Sequence, residues 1–197
     1  MSYAVRTKSV TVSPPDIKEI RRYANTPVGS DGLLLECLNE LNGLTYRVCY
    51  AEFNIKKLDN SIDMEFAVTN SKDLQKMLKN CNKVLLFAAT IGFSPDRLIA
   101  KYSRLSPAKA LFIQAICTER IEALCNAFCG EMKEYYSSAG EKTTPRFSPG
   151  YGDLPLSLQT DIFKFLNCTK NLGISLNDSL IMSPSKSVTA IFGIETL

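Results

Sequence analysis

The apolar and polar positions of this chain fall into short, sharply bounded segments whose period changes along the sequence. Apolar residues recur at helical spacing from Leu33 to Leu41, after Asp31 and before Gly43, which predicts a helix closed by a glycine. Tyr46, Val48 and Tyr50 alternate with Arg47, Cys49 and Ala51, and Ile62, Met64, Phe66 and Val68 alternate with polar or small residues. Both stretches read as half-buried antiparallel strands joined across residues 56–61. The run from Val84 to Thr90 is continuously apolar, as expected of a central strand covered on both faces. From Ser106-Pro107 to about Tyr136 the pattern is helical again, with Ala110, Ile113, Cys117, Ile121, Leu124, Cys125 and Phe128 in one stripe. At 1.5 Å per residue that helix would span about 45 Å.

Start signals punctuate these segments. Ser13-Pro14-Pro15 opens a short helix through Tyr23 with Ser13 as its cap, Ser71 caps another through Lys79, and Ser94-Pro95 starts a third. Leu158 to Leu166 is a short amphipathic helix. Leu180-Ile181-Met182 and the segment from Val188 to Ile194 flank the turn Ser183-Pro184-Ser185-Lys186 and read as a C-terminal β-hairpin. Mixed element order, antiparallel pairs and no repeating βαβ unit predict an α+β domain with a mixed or antiparallel sheet and a long central helix.

Charge and composition narrow the chemistry. A net charge of +3 without any basic run longer than a pair predicts no nucleic-acid partner. The N-terminus has no apolar core of leader type and no apolar run reaches membrane-spanning length, so no membrane partner and a cytoplasmic location are expected. The chain has no histidine, which excludes a Ser-His-Asp or Cys-His nucleophile and an imidazole-ligated metal. Its seven cysteines form no CxxC pair; Cys117, Cys125 and Cys129 share a helix face, where small buried side chains explain them better than a thiolate cluster.

The densest chemistry lies between Arg146 and Pro155, Arg-Phe-Ser-Pro-Gly-Tyr-Gly-Asp-Leu-Pro. Two prolines and two glycines exclude helix and ladder strand, leaving a stiff loop that carries a fixed cation, aromatic faces and bare backbone. Such a loop suits a ligand bearing a carboxylate and a flat ring. Lys186 reads as a solvated turn lysine, Asp96 and Arg97 as helix-end charges, and Asp153 as a residue that fixes the loop through its own backbone.

This loop, the short helix after it, Gly173-Ile174 and then the stretch from Met182 to Val188 resemble the activation domain of cobalamin-dependent methionine synthase in its free-standing form. Phe87 to Gly92, Asp96 to Ile99, and Ile121-Glu122-Ala123 fit the same pattern, which runs from about Lys83 to Ile194. The resemblance implies a single domain over residues 1–197, with a smaller, less recognisable N-terminal lobe at 1–80 and a ligand-binding core at 81–197. It also implies S-adenosylmethionine as the ligand, beside a cobalamin held by a partner: a methionine synthase lacking its own activation domain. A flavodoxin-like or other reductant would supply the electron. By position, Arg146 would hold the methionine carboxylate, and the backbone at Phe147 and Gly150 would meet the adenosyl part. Tyr151 would lie at the methyl-donor and corrin end, as the catalytic position, and Glu122 would face the ammonium or ribose. The family's acidic residue ahead of the arginine has only Glu141 as a counterpart, at a different spacing. A module that docks or chaperones a corrinoid protein without binding S-adenosylmethionine is the alternative. Methyl transfer from a sulfonium needs no general base, so the absence of histidine is compatible with the first reading.

Overall fold

The computed structural model describes residues 3–25 and 31–196. Its elements in chain order are β1 (Arg6–Ser9), α1 (Ile17–Ala24), α2 (Asp31–Glu40), β2 (Arg47–Asn54), β3 (Lys56–Lys57), β4 (Ile62–Asp63), β5 (Val68–Thr69) and α3 (Lys72–Met77). There follow β6 (Lys83–Thr90), α4 (Ser94–Leu105), α5 (Pro107–Ser138), β7 (Glu141–Thr143), α6 (Leu158–Leu166), α7 (Cys168–Leu172), β8 (Ser175–Leu176), β9 (Met182–Ser183) and β10 (Ser187–Thr196).

The main sheet has the order β1-β2-β6-β10-β7 and every pairing in it is antiparallel. Strand β6 lies at its centre, and its alternate side chains enter two different cores. Leu85, Phe87 and Ala89 pack with Phe112, Ile113, Leu124 and Phe128 of α5, whereas Val84, Leu86 and Ala88 pack with Leu74, Leu158, Ile162 and Leu166 of α3 and α6. This double covering is why the strand is apolar without alternation. Phe87 and Phe192 meet across the β6–β10 pair at 6.3 Å, and Phe128 of α5 caps Phe87 at 5.0 Å. The first 80 residues enter the same sheet through β1 and β2, and α1 and α2 pack against α5.

Several elements differ from the pattern-based expectation. α1 starts at Ile17, capped by Asp16, whose carboxylate accepts from the N–H groups of Lys18 and Glu19 at 2.9 and 3.2 Å. Pro15 disfavours helical geometry at the residue before it, and the Ser13 and Pro14 carbonyls instead accept from the Arg120 guanidinium at 2.5 and 3.1 Å. Strand β2 pairs with β1 and β6, not with residues 62–68. That segment breaks into β4 and β5 because the chain turns at Glu65, φ 64°; Met64 and Phe66, on either side of the turn, are both buried. The C-terminal hairpin consists of β8 and β9; β10 continues past the turn into the main sheet. Ser94 lies inside α4, with Phe93 at the cap position.

Candidate ligand-binding cleft

The cleft forms where the sheet runs out of strands. β7 pairs with β10 only at Ile194–Thr196, and beyond the isolated bridge between Phe147 and Ile191 the chain leaves the sheet edge. Phe147 and Ile191 exchange both backbone hydrogen bonds, at 2.8 and 2.9 Å, so Ile191 directs its N–H and C=O toward this edge. Residues two apart on a strand repeat that direction. Thr189 and Ser187 therefore present backbone donors and acceptors to open space, and among the described residues none of them is met by another strand there. The opening of about 470 Å³ is bounded by this edge, by Glu122 of α5, by Gln159 of α6, by Met182 of β9 and by the loop from Arg146 to Tyr151.

Arg146 and Glu122 both line the cleft and pair there, Nη2 to Oε2 at 2.5 Å. Burial disfavours the Arg146 charge, but the neighbouring Cys125 sulfur and the Glu122 carboxylate outweigh it, and its pKa is raised. The pair presents a cation and an anion side by side, complementary to a zwitterionic amino-acid group. Glu122 is placed by α5, whose next turn down buries Cys125 and Phe128 in the core and leaves the carboxylate facing outward.

The loop is held from both ends. Phe147 is bridged to β10, and Thr144 exchanges hydrogen bonds with Gly193, N to O at 3.0 Å and Gly193 N to Oγ1 at 2.8 Å. At its far end Asp153 accepts from the Ser71 hydroxyl and from the N–H groups of Lys72 at 2.6 Å and Asp73 at 3.3 Å. The carboxylate thus sits on the N-terminus of α3; the Ser71 hydroxyl and these backbone donors hold its pKa below the ordinary value. Asp153 does fix the loop, through α3 rather than through its own backbone. Gly150 and Gly152 both have positive φ, 89° and 53°, and between them Tyr151 is thrown outward, 69% exposed at the cleft mouth.

Glu122, Arg146, Phe147 and Tyr151 are thus brought together, with Gly150 in the exposed part of the same loop. Glu141 is not among them. It pairs with Thr196 on β10, five residues along the strand from Ile191 and therefore about 17 Å away, and forms an ion pair with Lys83 at 3.8 Å. Lys186 is not solvated: it is 8% exposed and donates to Thr118 Oγ1 at 2.8 Å, and burial lowers its pKa. Asp96 reaches over to the same turn and accepts from Ser185 N at 2.8 Å. Burial raises the thiol pKa values of Cys117 and Cys125 to about 12, and among the described residues no group of three or more potential metal ligands converges.

Gln159, Ser187 and Thr189 also line the cleft, and no sequence motif marks them. Gln159 carried a signal: it shares a helix face with Ile162 and Leu166, three and seven residues on, so an amide was being buried among apolar neighbours. Ser187 and Thr189 contribute backbone, for which no side-chain pattern exists.

Fold and cleft together define an α+β domain in which a charged pair and an unpaired sheet edge flank one opening. The chain belongs to the family described as the vitamin B12 dependent methionine synthase activation domain, whose model matches residues 74–196. No curated protein sequence matches the chain. Thirteen chains of solved structures do, among them the MetH reactivation domain bound to AdoHcy. That structure shares 15% identity over 96% of this chain and 78% of its own, with a TM-score of 0.65, so it is alike in fold. Among the described residues no helix is long and apolar enough to cross a membrane.

Proposed function

We propose that the cleft binds S-adenosylmethionine and its demethylated product S-adenosylhomocysteine, and that the chain serves the reductive remethylation of cobalamin on a separate methionine synthase. The observation that carries this reading is the Arg146–Glu122 pair lining the cleft. The guanidinium takes the ligand's carboxylate and the Glu122 carboxylate its ammonium, which fixes the amino-acid end. Phe147 and the adjoining loop backbone receive the adenosyl part. Tyr151, at the mouth, bounds the space in which the sulfonium methyl group lies and turns it toward the partner. Its ring face also attracts the sulfonium cation.

The bound donor supplies a methyl group to reduced cobalt, and the corrinoid itself is held by the partner, because no histidine is present here to serve as an axial ligand. The task of these residues is to orient the donor and exclude water, which needs no proton transfer and contributes to rate through positioning. A flavodoxin-like or other reductant completes the system.

Isothermal titration of the purified chain with S-adenosylmethionine and S-adenosylhomocysteine tests the reading. Saturable one-to-one binding of both is expected. Absence of heat or thermal shift at millimolar ligand would overturn donor binding by this chain and favour the docking-module alternative.

A further inference from the structure

Among the described residues, Gln159 is the one side chain lining the cleft that is both buried and left with an unmatched hydrogen-bonding atom. It is 6% exposed, and its Oε1 is enclosed without a hydrogen-bond partner. Leaving a buried acceptor unpaired is unfavourable, and such atoms are rare in folded proteins. The residue is not there by default, since its helix-face neighbours Ile162 and Leu166 are fully buried apolar side chains and a leucine would fit that pattern. Its planar amide carries one acceptor and one donor, and rotation about the last side-chain bond turns the oxygen toward the cleft that the residue lines. The same opening is lined by the Ser187 and Thr189 edge, with its backbone N–H and C=O groups, and by the aromatic ring of Phe147.

These groups line the same opening as the Arg146–Glu122 pair. A planar heterocycle carrying an exocyclic amine beside a ring nitrogen matches them. The amine donates to an amide oxygen, the ring nitrogen accepts from an amide N–H, and the ring lies on Phe147. Glutamine recognises adenine in this bidentate way elsewhere. Resting on the reading above that an adenosyl ligand occupies the cleft, we infer that Gln159 is the base-specificity residue of this site: it reads the 6-amino group of adenine.

The test is a cycle of four dissociation constants. S-adenosylhomocysteine and the same thioether with the 6-amino group replaced by hydrogen are titrated into the unmodified chain and into Gln159→Leu, with circular dichroism and the ligand-free thermal midpoint confirming the fold of the variant. The unmodified chain is expected to bind the amino-free ligand roughly 5–150-fold more weakly. In Gln159→Leu the two ligands should bind alike, each near the weaker value. Gln159→Glu, which keeps the acceptor, provides a folded check should the leucine variant be unstable, and it should retain part of the preference. A preference that survives unchanged in both variants, or an unmodified chain that does not distinguish the two ligands, would overturn the assignment while leaving adenosyl binding intact. If the unmodified chain bound neither ligand, the underlying reading would fail, and with it this one.

Discussion

Replacing Arg146 with alanine separates ligand recognition from fold stability. In the free chain Arg146 and Glu122 are 24% and 39% exposed, a half-open ion pair rather than a sealed one. Exposed pairs are worth about 0–1 kcal/mol, so the ligand-free variant should melt within about 4 °C of the parent, at about 2–4 °C per kcal/mol for a chain of this length. Binding is another matter. A hydrogen bond to a charged group contributes about 1.5–3 kcal/mol, and a loss of about 2 kcal/mol raises the dissociation constant about thirtyfold. At a ligand concentration of one hundred times the parent's dissociation constant, S-adenosylhomocysteine stabilises the parent by about 2.7 kcal/mol, a shift of about 5–11 °C. At the same concentration the variant is at about three times its own constant and gains about 0.9 kcal/mol, a shift of about 2–4 °C. Differential scanning fluorimetry with and without ligand reads both effects in one plate. A full ligand-induced shift in Arg146→Ala would refute the placement of the carboxylate on this guanidinium.

Gly193 lies in β10 where an added Cβ would press on Cys81 Sγ and on Leu78 Cδ2, both in the buried core. Gly193→Ala should therefore cost about 1–3 kcal/mol in urea unfolding, and Cys81→Ala in the same chain should recover part of it. Lys186 has a folded-state pKa lowered by burial, so the unfolded chain binds its proton more tightly. The cost of its charge is present at neutral pH and relieved as pH rises through the folded value toward 10.5. Melting temperatures taken across pH 8 to 10.5 should fall less steeply for the parent than for Lys186→Met; identical profiles would contradict a titrating buried ammonium. Asp153 has the opposite sign. Its carboxylate is held ionised by α3, so its contribution is complete above about pH 4, the ordinary carboxylate range, and is lost as pH falls through the lowered folded value. Asp153→Asn should be less stable than the parent at neutral pH and indistinguishable from it in strong acid, as followed by circular dichroism.

Periodicity recovers the elements whose burial is one-sided or complete. Strand β6, the long helix α5 and α6 at Leu158–Leu166 all appear where their apolar patterns put them. It fails where direction is set by backbone geometry. The alternation from Ile62 to Val68 is satisfied by a turn at Glu65 instead of a continuous strand, and Val68 ends 61% exposed. Met182 and Ser183 pair backward to Leu176 and Ser175 because the Asn177 side chain folds the loop between them, accepting from Ser179 N and Ile181 N at 3.0 and 2.9 Å. At the site, the cation and aromatic residues of the loop were legible because proline and glycine announce irregular backbone. The sheet edge at Ser187 and Thr189 was not, since pairing register alone decides where a strand goes unpartnered. Lys186 was misleading for a related reason: its turn is exposed at Ser185, one residue away, while its own side chain runs under α5 to Thr118.

The contact between Asp153 and the start of α3 has a consequence for how far this domain can be reduced. The family model begins at residue 74, yet the loop's anchor consists of Ser71, Lys72 and Asp73, immediately upstream. A fragment trimmed to the matched region would keep Arg146, Glu122 and Gln159 but lose the brace on the loop, together with β2, the neighbour of β6. The part of the chain that precedes the family match is thus structurally committed to the matched part. Substitutions there change how rigidly the cleft is held without altering a single residue that lines it.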